Sequence, residues 1–364
     1  MKNTNLFLYI GVISAILSLS TSMILSEELV QQITLQECLK IANENNIRII
    51  ETKKEIETVK SKLIQVKAYP NPEIEINDYG LVNKLGTSES DREIKLSQEI
   101  EILGKRKKRM GIAKTEIEIF NQKLNSIWAE VRFDVKAKYN EILLIQKKKE
   151  LAIENLNLAR NFLANIQMKY ESGKALVNQV IRAKIEVSRA ENELLIIEKD
   201  ISISKAELNL LLNRPPGYKF LPVDELIYLK KYLDLDDLTK KTLSQNPELK
   251  IELLSLDTAK LKLSLSKRET ISNPVIGILQ KQESNEKTLG VNLGLSIPLW
   301  YRKQGEIQES KTELEKINSK IDYLKKEMEL KIFNAFIETE LAEKQVILLK
   351  NTVKEANELL RVVS

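Results

Sequence analysis

The sequence contains no histidine and a single cysteine, and its 364 residues include 11 glycines, 8 prolines and 5% aromatic residues. Without histidine there is no Ser-His-Asp or Cys-His triad and no imidazole ligand set for zinc. One cysteine cannot build a disulfide framework. No glycine-rich phosphate loop is present, and no catalytic, cofactor-binding or metal-binding residue can be singled out. A net charge of +5 with both signs interspersed does not describe a nucleic-acid-binding surface. The basic run Lys105-Arg106-Lys107-Lys108-Arg109 alternates with acidic stretches and reads as a solvated face.

What is present begins with an N-terminal signal. Lys2, the apolar run Leu6 to Leu19 and Ser20-Thr21-Ser22 have the order of a secretory signal peptide, expected over residues 1–25. The alternative is an uncleaved anchor, although the run is shorter than the roughly 20 residues that span a bilayer. No second long apolar run follows. Cys38, preceded by Leu35-Gln36-Glu37, does not have the surroundings of a lipidated cysteine and reads as a small apolar residue on a helix face.

The body repeats itself. Ile33 to Asn77 aligns with Tyr232 to Ile278, placing Leu35 on Leu235, Asn46 on Asn246, Ile49 on Leu249 and Asn71-Pro72 on Asn273-Pro274. Tyr139 to Leu163 aligns with Phe336 to Leu360. A period of about 200 residues is a duplicated half-domain, because solenoid units run about 20–50. The first repeat is expected over 26–231 and the second over 232–364, incomplete because no counterpart of Tyr170 to Asn213 follows.

Within repeat one, Lys105 to Lys169 has no proline. Its apolar residues recur at helical spacing through Ile117, Phe120, Leu124, Ile127, Val131, Val135, Tyr139 and Ile142. Such a helix is roughly 100 Å long at about 1.5 Å per residue. Gly173 breaks the pattern and Val177 to Leu212 resumes it, so a long antiparallel hairpin is expected over 105–212, followed by a linker, 213–231. By itself that hairpin also fits a generic coiled-coil protein.

Between the helices the period changes from helical to two. Glu73 to Asp78, Glu93 to Ile100, Val275 to Gln280 and Leu289 to Ile297 alternate apolar with polar or small residues. One β-hairpin is thus expected per repeat, over about 73–101 and 275–299. An apolar face backed by a polar one describes the wall of a transmembrane barrel; the alternative is a small β-layer packed on helices in a soluble protein. In the membrane case four strands cannot close a barrel, and an open edge cannot face lipid, so several copies must share one. The fold class is therefore mainly α with a small β part.

At this point the chain resembles the TolC-like outer-membrane efflux channel family, and its heavy-metal CzcC-like branch most. The residues that carry the resemblance are the paired helix starts at Ala42 to Asn46 and Asn246 to Leu249, the prolines of Pro70-Asn71-Pro72 and Asn273-Pro274, the exit Ser296 to Trp300, and the tip pattern Tyr170, Gly173, Val180, Ala183. The resemblance implies a homotrimer in the outer membrane, projecting into the periplasm towards an adaptor protein and an inner-membrane pump, with lipid around its barrel. It implies a passive conduit for metal ions or small toxic compounds, without enzymatic activity or cofactor.

It places Tyr170, Gly173, Lys174 and Ala175 at the adaptor-facing tip, and Asn292, Gly294 and Ser296 in the barrel lumen. Pro72, Pro274 and Pro298 fall at helix–strand transitions. Measured against the family, the helix from Lys303 to Ser364 is expected to leave its apolar stripe (Leu314, Ile317, Ile321, Leu324, Met328, Ile332, Phe336) without an intrachain partner, as in a truncated subunit. The competing reading is a periplasmic coiled-coil adaptor or scaffold, for which paired strand units are not needed.

Overall fold

A computed structural model of the chain describes residues 31–82, 88–283 and 286–363. The expected signal peptide lies outside them. The chain divides into two compact units, one holding residues 31–46 and 131–227 and the other 47–130 and 228–363.

In the first unit, strand β1 (Gln31–Ile33) pairs in parallel with β4 (Phe220–Pro222). Helix α1 (Leu35–Asn45) follows directly, because Thr34 and Glu37 form a capping box. The Thr34 hydroxyl accepts from the Glu37 N–H at 3.3 Å, and the Glu37 carboxylate accepts from the Thr34 N–H at 2.8 Å. From the long helix α3 (Lys105–Glu171), the fully buried Tyr139 donates its hydroxyl to Ile33 O at 2.9 Å. Asp224 accepts from the Leu35 N–H at 2.7 Å. The start of the first repeat is thus tied to α3 and to the segment that follows the hairpin.

The expected hairpin is formed by α3 and α4 (Val177–Leu211). Ion pairs mark its antiparallel register: Lys138–Glu207 at 2.7 Å, Lys149–Glu198 at 2.8 Å and Arg160–Glu191 at 2.9 Å, one partner's number falling as the other's rises. Exposed pairs of this kind contribute about 0–1 kcal/mol each and report register more than stability. Burial of Val135, Ile142, Leu156, Ala183 and Leu208 supplies the packing. Cys38 is fully buried on α1, and burial pushes its thiol pKa up to about 12. A raised pKa keeps the thiol protonated at pH 8, so a thiol-exchange reagent should react with Cys38 only after denaturation; prompt labelling of the native protein would contradict this packing.

In the second unit the duplication becomes visible in geometry. Helix α2 (Ile47–Lys67) pairs with residues 105–130 of α3 through Lys123 and Glu55 at 2.7 Å. Helix α6 (Pro247–Arg268) pairs with α7 (Gln304–Val363) through Lys320 and Glu252 at 2.6 Å. The two pairs are equivalent under the repeat. So are Asn46 (φ −61°, ψ 128°) and Asn246 (φ −60°, ψ 124°), each ending a short helix in extended backbone. Asn246 closes α5 (Leu235–Gln245), and its side chain accepts from the Glu248 and Leu249 N–H groups to open α6, with Pro247 in the first turn.

One expectation fails here. The stripe of α7 has intrachain partners: Leu249, Ile321, Leu324 and Met328 form a buried cluster, flanked by Leu243, Leu256 and Ile317. The reason is that α5 and α6 of the same repeat lie against the stretch from Ile317 to Met328, while Ile337, Leu341 and Leu348 further along α7 are exposed. Truncating Leu324 to alanine should cost about 2–5 kcal/mol in a chemical-denaturation midpoint measurement.

Candidate functional site

All four long strands lie in the second unit and form one antiparallel sheet in the order β2 (Glu73–Val82), β3 (Ser88–Glu99), β5 (Val275–Glu283), β6 (Glu286–Gly294). Each repeat supplies a hairpin, and the β3–β5 pairing joins them. Pairing of β6 ends at Gly294, opposite Val275 where β5 begins, so the expected strand reach to about 299 is not used. Ile297 precedes Pro298, which has no N–H for a ladder.

Register puts the apolar residues on one face in rows that cross the sheet. Ile74, Leu96, Ile278 and Val291 form one row; Ile76, Ile94, Gln280 and Leu289 form the next. Then Asp78, Arg92, Gln282 and Lys287 end the apolar zone with charge, Arg92 donating to Asp78 at 2.9 Å. The opposite face is mostly polar or small, with Glu75, Lys95, Ser97, Gly277, Asn292 and Gly294, and carries Val275 and Leu279 among them.

Exposure is inverted relative to a soluble sheet. Ile278 is 54%, Leu289 78% and Val291 79% exposed, whereas Ser97 and Gly277 on the polar face are buried. Gly277 sits where a Cβ would lie 2.8 Å from Leu96 O, so only a residue without a side chain permits this strand approach. Among the described residues, strands β2 and β6 each leave one edge without a partner strand in the sheet. Among the described residues no helix is long and apolar enough to cross a membrane. No cluster of three or more histidine, cysteine or acidic side chains is placed to hold a metal among them.

The singled-out residues fall as follows. Pro72 and Pro274 each stand one residue before a strand, and Pro298 lies four residues beyond β6. Asn292 and Gly294 share the polar face, while Ser296 lies past the last paired residue and is exposed. Tyr170 ends α3 half exposed. Gly173, at φ +75°, donates its N–H to Tyr170 O at 2.9 Å, and the Lys174 N–H reaches Lys169 O at 2.7 Å, a Schellman cap. Ala175 is partly buried in the same turn. Nothing lies within 4 Å of a Cβ at Gly173, so Gly173→Ala should cost about 1–2 kcal/mol through backbone conformation alone, measured by denaturation.

Sequence reasoning missed the joint between helices and sheet. Asn273 donates to Glu99 Oε1 at 2.6 Å and accepts from Lys105 Nζ at 2.7 Å and the Ile102 N–H at 3.4 Å. The buried Lys105 also donates to Ile271 O at 2.5 Å. Burial lowers the Lys105 pKa while the nearby Glu269 and Glu99 oppose that shift. The hint was an Asn-Pro pair placed just before the first strand of each hairpin.

Residues 42–214 match the family described as outer membrane efflux protein. The cobalt-zinc-cadmium resistance protein CzcC of Cupriavidus metallidurans is 21% identical over 76% of this chain and 65% of its own length, just under two thirds of that protein. The open-state MtrE outer membrane channel of Neisseria gonorrhoeae superposes with a TM-score of 0.66 at 15% identity, covering 90% of this chain and 78% of that one. VceC, an outer membrane protein of Vibrio cholerae, superposes with a TM-score of 0.64 at 11% identity, covering 80% of this chain and 75% of its own. Residues 42–214, just under half of the chain, thus resemble the outer membrane efflux protein family, and the chain shares its fold with these solved outer membrane channels.

Proposed function

We propose that this chain is a subunit of an outer-membrane channel, a passive conduit in a tripartite efflux system that carries metal ions or small toxic compounds out of the periplasm. The observation that carries the reading is the inverted sheet: an isolated four-stranded layer with its apolar face to the outside is stable only where that face meets hydrocarbon. Its two free edges need strands from other copies, since lipid offers no hydrogen bonds. Three copies give the twelve strands of a homotrimer. In this reading the repeats, 26–231 and 232–364, each contribute one hairpin to the wall.

Asn292, Gly294 and Ser296 then face the lumen, the three prolines set the helix-to-strand turns, and Tyr170, Gly173, Lys174 and Ala175 meet the adaptor protein, which connects to an inner-membrane pump. The likeness to a cobalt-zinc-cadmium resistance protein favours divalent transition metals as cargo. Deleting the gene should lower tolerance to zinc, cobalt or cadmium and leave the protein, when restored, in a carbonate-resistant outer-membrane fraction. Unchanged metal tolerance together with recovery in the soluble periplasm would sink the proposal.

A further inference from the structure

In the second unit, four helix ends meet where the strands begin. Arg106 of α3 donates to Lys67 O at the end of α2, Arg268 at the end of α6 donates to Leu103 O at 2.6 Å, and Lys303 before α7 pairs with Glu269 at 3.7 Å. Lys105, Arg106, Arg109, Arg268 and Lys303 are thereby occupied in holding the junction, Arg109 through Glu101. Lys67, Lys107, Lys108, Lys267 and Arg302 remain, and none of these five has a carboxylate partner among the described residues. Lys67, Lys107, Lys267 and Arg302 are exposed.

This surplus opposes local preference. The first turn of α3 holds no acidic residue and begins with five consecutive cations, although the amino end of a helix favours negative charge. The repeat-related start of α7 follows the preference, with Glu306 in its first turn. A stretch that breaks a local rule in one repeat and keeps it in the other calls for a compensating partner. Chemistry beside these helix ends says what kind: Tyr69 is exposed and stacked under Arg106 at 3.8 Å, and the exposed Ile100 follows β3 in step with Ile94 and Leu96 of the apolar face. An amphiphile with an anionic head fits both halves, its chains on the apolar face and its phosphodiester among the lysines.

We propose that Lys67, Lys107, Lys108, Lys267 and Arg302 bind the headgroups of anionic phospholipids in the leaflet adjoining the helices. This rests on the membrane reading of the sheet. The test uses the full chain, added to vesicles of phosphatidylcholine alone and of phosphatidylcholine with phosphatidylglycerol. Partition is measured at low salt and again with inorganic phosphate or chloride at matched ionic strength.

The anionic lipid should raise partition about tenfold, given the attraction of each cation near a charged surface. A Lys67→Gln, Lys107→Gln, Lys108→Gln, Lys267→Gln variant should lose that gain while entering phosphatidylcholine as before. The matching lysine-to-arginine variant should keep it. Equal partition of wild type and glutamine variant into both vesicles overturns the proposal with the membrane reading intact. Suppression by inorganic phosphate beyond that by chloride assigns the cluster to a free anion and also overturns it. Failure to enter either vesicle overturns the membrane reading and this inference with it.

Discussion

Ile278→Lys combined with Val291→Lys should abolish incorporation into lipid vesicles. The two residues face each other directly across β5 and β6 in the middle of the apolar zone, and both are exposed. A lysine at the bilayer midplane of a barrel costs about 2–4 kcal/mol, so two cost about 4–8 kcal/mol if their effects add. That is comparable to the whole stability of an ordinary domain, about 5–15 kcal/mol. If the sheet instead faced water, the same changes at exposed positions would fall within about 0.5 kcal/mol and improve solubility. Thr288→Lys, on the opposite face of the same strand, should leave incorporation intact, because in the proposed channel that face meets water. Carbonate-resistant incorporation of the double variant at the wild-type level would contradict the assignment of the two faces.

The second large effect belongs to the joint between helices and sheet. Asn273→Ala removes one donor and one acceptor that together satisfy Glu99, Lys105 and the Ile102 N–H. The buried Lys105 would lose one of its two acceptors, and a charged group deprived of a partner costs more than a neutral one. We expect a loss of about 2–4 kcal/mol in the denaturation midpoint. Asn71→Ala, at the repeat-related position, should change stability by less than about 0.5 kcal/mol, because Asn71 is exposed and no side-chain hydrogen bond among the described residues ties it to the junction. Equal losses at the two asparagines would show that the joint is built symmetrically, against the geometry described.

That contrast shows where sequence reasoning reached and where it stopped. Helix and strand periods are local properties, so the hairpin of α3 and α4 and the two-residue alternation of Leu289, Val291 and Leu293 were legible directly. Duplication extended the reading, since Asn46 and Asn246 occupy the same backbone conformation. Periodicity states that a face needs covering but not what covers it. Hence the stripe through Ile321, Leu324 and Met328 was expected to lack a partner, whereas Leu249 of α6 packs on it. Alignment likewise equates Asn71 with Asn273, and only the fold shows that one of them holds Lys105. The run Lys105 to Arg109 read as a solvated face, because its position beside the apolar sheet is a three-dimensional fact.

The central claim is that one face of this sheet meets lipid and the other meets water. The most direct measurement places single cysteines from Thr288 to Gly294, in a background where the buried Cys38 does not compete for label. Spin labels at these sites are then read in vesicles with an apolar and a polar relaxation agent. The account predicts strict alternation, with Leu289, Val291 and Leu293 accessible from lipid and Thr288, Gly290 and Asn292 accessible from water. Uniform access to the polar agent along β6 would contradict it.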